Sequence, residues 1–164
     1  MTDPKPARTD ADLRQTLAEF SVPSEPGNER LAMETVAEAV RDLDIRGENL
    51  ERLKTAVAEA TMNAMEHGNK YRSEVPVEVQ VEVVDRDLMV RITDSGSGPP
   101  PTQAGDVPDL EAKLEGMQTA RGWGLFLIKS MVDKMSITGD DGHHTIELVV
   151  HLGEKEASDG RTSS

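Results

Sequence analysis

Three short segments hold the residues best suited to chemistry: Glu59-Ala60-x-x-Asn63-Ala64-x-x-His67-Gly68, Asp94-Ser95-Gly96-Ser97-Gly98 and Gly122-Trp123-Gly124-Leu125. The first reads as helix, and its spacing puts Glu59, Asn63 and His67 on one face, neighbours about 6 Å apart. The other two are glycine-rich and fall at junctions of expected regular elements. A carboxylate, a carboxamide and two glycine loops are the parts needed to hold Mg-ATP and act on its terminal phosphate, so an ATP site is expected.

The elements that must position these groups follow from periodicity. Residues 1–18 are rich in charge, Pro and Thr and are expected to form a disordered tail, as are 153–164. Phe20 and Val22 suggest a short edge strand closed by Pro23. A first helix is expected from about Asn28 to Leu43 and a second from about Asn49 to His67, with Gly68 as its C-cap. Val77 to Val83 alternates valine with polar residues, the pattern of a half-buried strand. After the turn Asp85-Arg86-Asp87, a second antiparallel strand carries Leu88, Val90 and Ile92 and delivers Asp94 at its end. Residues from about 99 to 121, with three consecutive prolines, suit a lid with one short helix near Asp109–Leu114. Leu125, Phe126, Ile128, Met131 and Val132 mark a third major helix. Two final strands, about Lys134–Thr138 and His144–Leu152, are joined at Gly139-Asp140-Asp141-Gly142. The fold class expected is α+β: a two-layer sandwich, its mixed, mostly antiparallel sheet covered by helices on one face.

Composition narrows the function. The 164 residues form one domain of ordinary size, with a net charge of −13 that repels phosphate backbones and argues against direct nucleic-acid binding. No apolar run approaches the length of a membrane span, and the N-terminus lacks a signal-peptide core. The absence of cysteine excludes disulfides and thiolate metal sites. A cytoplasmic protein is expected.

Together the three segments resemble the N box and the first and second glycine boxes of the GHKL ATPases, which share the Bergerat fold. The resemblance extends from about Phe20 to Leu152. It implies Glu59 as general base, drawing a proton from the attacking hydroxyl or water, and Asn63 as ligand to Mg²⁺. His67 is implied near the phosphates. Asp94 accepts a hydrogen bond from the adenine amino group, while Gly96 and Gly98 let the backbone approach base and sugar. Gly122, Gly124 and Leu125 place helix N–H groups at the phosphates, and Arg121 reaches toward the terminal phosphate. Thr93 and Thr145 are weaker candidates beside the base. His67, His143, His144 and His151 are too scattered in sequence to read as a metal site.

Within that superfamily the chain is most similar to the bacterial anti-sigma factor serine/threonine kinases. Neither a two-helix hairpin bearing a phosphoacceptor histidine ahead of the fold nor a transducing domain of the gyrase or MutL kind after it is expected from these 164 residues. The resemblance implies a homodimer using ATP and Mg²⁺. It would bind a sigma factor, and phosphorylate on Ser or Thr an anti-anti-sigma (STAS-like) antagonist. Two departures stand out: Trp123 inside the second glycine box, and a long amino tail. The alternative reading is a non-catalytic ATP-binding switch module acting on a non-sigma protein.

Overall fold

The computed structural model describes residues 14–45, 47–96, 120–140 and 142–152, and for 120–123 the backbone alone. The expected tail after 152, the lid residues 99–119 and Gly98 lie outside the described residues.

Five strands form one sheet: β1 (Arg14–Val22), β2 (Val77–Val84), β3 (Asp87–Asp94), β4 (Lys134–Gly139) and β5 (His144–His151). Their order is β1-β2-β3-β5-β4, and all four pairings are antiparallel, with no parallel pair among the described strands. Among the described residues three α-helices accompany it: α1 (Asn28–Ala39), α2 (Gly47–Asn63) and α3 (Ala120–Met131). None of the described helices is long and apolar enough to cross a membrane.

β1 is the expected edge strand but starts at Arg14, so residues 14–18 belong to the sheet and not to a disordered tail. An extra residue, Leu17, bulges between the Thr16–Glu82 and Ala18–Val81 pairs. That bulge keeps Ala18, Phe20 and Val22 on the core side while Arg14 pairs with the other face. The alternation of β2 buries Val77, Val79 and Val81 on the core side. β3 and β5 contribute Leu88, Val90 and Ile92 opposite Val150, Leu148 and Ile146.

α1 and α2 lay Ala32, Val36, Leu53, Val57 and Ala60 on this face. α1 stops at Ala39, short of the expected Leu43. Arg41 N–H bonds Glu38 O and Leu43 N–H bonds Val40 O, so the chain tightens into i→i+3 turns while Val40 and Leu43 still join the core. α2 ends at Asn63, also before its expected end. Residues Ala64–Gly68 form a π-turn, in which Asn69 N–H bonds Ala64 O at 2.8 Å.

The opposite sheet face carries a charge network in place of helices. Glu82, 7% exposed, accepts from Arg14 Nη1 at 2.6 Å and Arg91 Nη1 at 3.0 Å, and Arg91 Nε donates to Glu147 at 2.8 Å. The residues joined come from four strands' worth of register on one face, which pins the pairing of β1, β2, β3 and β5.

Candidate functional site

The second helix brings Glu59 and Asn63 to one side of α2, where α3 packs. Gly124 makes the contact possible. A Cβ at Gly124 would stand 2.9 Å from Glu59 Oε2 and 3.1 Å from Asn63 Nδ2, so the glycine lets α3 approach both groups without shifting either side chain. Asn63 is 6% exposed, and its Nδ2 has no hydrogen-bond partner. A buried carboxamide with an idle donor is costly unless an acceptor completes it, which suits a ligand oxygen such as that of a phosphate. Burial, then the charges of Glu29 and Glu66, raises the pKa of the Glu59 carboxyl above its ordinary value. That makes it a stronger base than a solvated glutamate.

His67 follows on the π-turn rather than on a continued α-helix, so the wider turn takes it off the line of Glu59 and Asn63. It is part-exposed, with Nε2 3.8 Å from Glu66 Oε1. Gly122 lies in the first turns of α3, which starts at Ala120, so the second glycine box is helical and not a loop. Arg121 lies in the same turn, with its side chain outside the described residues. Leu125 is 3% exposed in the core, so its backbone, not its side chain, is what it can offer the site.

The second cluster gathers at the end of β3. Asp94, 6% exposed, accepts Gly96 N–H through Oδ1 at 2.8 Å in a tight Asx turn. Gly68 lies flat against this carboxylate, and a Cβ there would overlap it. Gly68 has no positive φ, so its role is close approach to Asp94 and not the C-cap expected of it. A Cβ on Gly96 would in turn stand 2.6 Å from Gly68 O. The N box and first glycine box are thus pressed together backbone to backbone.

Four contributors were not singled out by the sequence reading: Gly68 in this role, Asn69, Ser24 and His144. Asn69 is fully buried. Its Nδ2 donates to Ser24 Oγ and Val75 O at 3.0 Å and to Pro76 O at 3.2 Å, and its Oδ1 accepts Ser95 N–H at 2.8 Å. It ties the end of the π-turn, the start of β2 and the loop after Asp94 into one unit. Ser24 Oγ adds a 2.6 Å bond to Val75 O. An asparagine outside any periodic stretch gives no sequence signal of such burial.

His144 does have one. Ile146, Leu148 and Val150 alternate inward, and counting back two residues puts His144 on the same face, opposite Asp94. Thr93 and Thr145 sit one residue out of that phase. Their hydroxyls bond each other at 2.8 Å on the far face, which takes both away from the Asp94 side.

Comparison with known proteins agrees with this geometry. The sequence profile of the histidine kinase-like ATPase domain matches residues 22–150. The anti-sigma F factor of Bacillus subtilis is 31% identical over 146 residues, covering 85% of this chain and 93% of the relative. The anti-sigma F factor of Clostridium botulinum strain Eklund 17B is 26% identical over 123 residues, covering 71% and 80%. Among solved structures, the SiaB–SiaC complex of Pseudomonas aeruginosa contains a chain that superposes with a TM-score of 0.57 at 11% identity, covering 82% of this chain and 89% of that one. The RsbU and RsbW domains of a Mycobacterium tuberculosis protein superpose with a TM-score of 0.58 at 16% identity, over 82% of this chain and 32% of that longer one. The profile match spans the three described helices and strands β2 to β5 as far as Val150, and this chain belongs to the histidine kinase-like ATPase domain family.

Proposed function

We propose that this chain is a partner-switching protein kinase: it binds ATP, holds a sigma factor inactive, and phosphorylates an anti-anti-sigma antagonist on Ser or Thr. The observation that carries the catalytic half is the meeting of Glu59, with its raised pKa, and the buried carboxamide of Asn63, its Nδ2 without a partner among the described residues, across Gly124. The biological half rests on similarity to anti-sigma F factors over most of both chains.

The residues fit a magnesium nucleotide. Asn63 offers a hard amide oxygen of the kind Mg²⁺ accepts beside phosphate and water. Gly122 lies in the first turn of α3, where free N–H groups and the helix dipole favour anionic oxygens, and Gly124 lets that helix close on Asn63. Arg121, from the same turn, adds a charge for the terminal phosphate. Asp94, with Gly96 and Gly98, reads the base, and His67 stands on the phosphate side. When bound, Mg-ATP supplies the phosphoryl group. Glu59 takes the proton of the substrate hydroxyl, and Asn63 and the glycines orient the reactants. A homodimer is part of the proposal, on the family pattern.

The test is affinity capture from the native cell with and without ATP, followed by transfer assays on what is recovered. Glu59→Ala is expected to bind ATP and partners nearly as wild type while phosphorylating the antagonist about 10²–10⁴ times more slowly. Wild-type protein that binds ATP but transfers phosphate to no captured partner would leave the non-catalytic switch module in its place. Glu59→Ala working at the wild-type rate would remove the base assignment.

A further inference from the structure

The paired strands β3 and β5 meet in rows that are apolar through the core. Leu88 faces Val150, Val90 faces Leu148 and Ile92 faces Ile146. The last row breaks the series with Asp94 opposite His144, both buried, at 6% and 5% exposure. His144 Nδ1 stands 3.1 Å from Asp94 Oδ1 but outside hydrogen-bond alignment, so the contact is a close electrostatic one. The same oxygen takes Gly96 N–H at 2.8 Å.

The ring lies close against the neighbouring strand. Gly139 is the β4 residue paired with His144, and a Cβ there would stand 3.1 Å from His144 Cδ2. A buried ionisable pair is a poor way to stabilise a sheet end, because an apolar pair such as Ile92/Ile146 does it at lower desolvation cost. Its position, at the rim of the glycine-lined cluster, gives it another use.

We propose that His144 is a positioning residue for base recognition. Its imidazole, with Gly96 N–H, fixes the Asp94 carboxylate in the one orientation that meets an exocyclic 6-amino group. This rests on the nucleotide reading of Asp94 given above. His144 does not touch the reacting phosphate and acts only through Asp94.

The test separates base reading from general support of the fold. Mg-ATP and the Mg²⁺ complex of purine riboside triphosphate, which lacks the 6-amino group, are titrated by calorimetry into wild type, His144→Leu and His144→Asn. Wild type is expected to favour ATP. His144→Leu is expected to lose about tenfold in ATP affinity, the scale of one close electrostatic contact to a buried carboxylate, with little change for the purine analogue. His144→Asn, whose amide N–H reaches the place of Nδ1, regains most of the loss. If His144→Leu folds too poorly to titrate, His144→Asn and His144→Gln carry the comparison, Asn close to wild type and Gln, with its amide one bond farther out, close to the analogue-like level.

Equal losses for both nucleotides, no loss for either, or failure of Asn to outperform Leu and Gln would each overturn the role of His144. A wild-type protein that binds ATP and the analogue equally well would instead remove the Asp94 reading itself, and the inference with it.

Discussion

Asn69→Ala is the substitution whose cost follows most directly from the structure. The side chain is fully buried and has two N–H hydrogens shared among Ser24 Oγ, Val75 O and Pro76 O, plus one oxygen holding Ser95 N–H. Three hydrogen bonds' worth of pairing is lost, at about 1 kcal/mol each, giving about 3 kcal/mol before any penalty for orphaned groups. Against a total stability of about 5–15 kcal/mol, that moves a urea midpoint by about 1–2 M with the slope unchanged. Unfolding followed by circular dichroism measures it. Asn69→Asp is a sharper version, since its carboxylate still accepts Ser95 N–H but sets an oxygen against Val75 O and Pro76 O. It is expected to be at least as destabilising as Ala. A loss below about 1 kcal/mol for Asn69→Ala, or a neutral Asn69→Asp, would refute the reading of Asn69 as the tie between β2 and the loop after Asp94.

Gly124→Ala separates stability from chemistry. Alanine favours the helix by about 1 kcal/mol, and the Cβ presses on the flexible end of Glu59, so thermal stability is expected to hold or rise. Phosphoryl transfer is expected to fall at least tenfold, and a variant as active as wild type would count against the Glu59–Gly124 contact. Glu59 also sets a pH signature. Its folded pKa is raised, so the rate should climb with pH along a limb lying above the ordinary glutamate range, and the chain should lose stability as pH rises through that same pKa. Glu59→Gln is then more stable than wild type at neutral pH and equal to it once both are uncharged in acid; thermal melts across pH check this. Arg91→Met on the outer face strips Glu147 of its 2.8 Å partner and leaves Glu82 with Arg14 alone. A loss of about 1–2 kcal/mol in urea unfolding is expected, and no loss would mean that the network is only surface decoration.

Much of this was readable from residue patterns because the patterns are periodic. The Val77–Val83 alternation fixed both the strand and its buried face, and it was followed at the right distance by Asp94. Glu59 and Asn63, four apart on a helix, could only share a side. What escaped was set by geometry that leaves no period. The π-turn after Asn63 inserts its wide bonding into a sequence that still looks helical, which carries His67 off the expected line. Gly68 was legible as a glycine that had to be there, but its reason is the Asp94 carboxylate far along the chain. Leu17 bulges from a strand whose first half looked like tail. Thr93 and Thr145, the weaker candidates, lie one residue out of phase with Asp94 and His144, and in a strand one residue is the other face.

The order β1-β2-β3-β5-β4 has a kinetic consequence. Strands β2 and β3 form one hairpin and β4 and β5 another, each closed by a short turn and quick to assemble. Asp94 belongs to the first and His144 to the second, so the Asp94–His144 pair exists only after the two hairpins dock edge to edge. A molecule that grips this row stabilises contacts made late, and such contacts govern how slowly the native state opens more than how fast it forms. On the proposed assignment of Asp94 to the base, nucleotide acts as a latch on the finished sheet: it lengthens the lifetime of the folded chain while leaving the search for that fold to the strands alone.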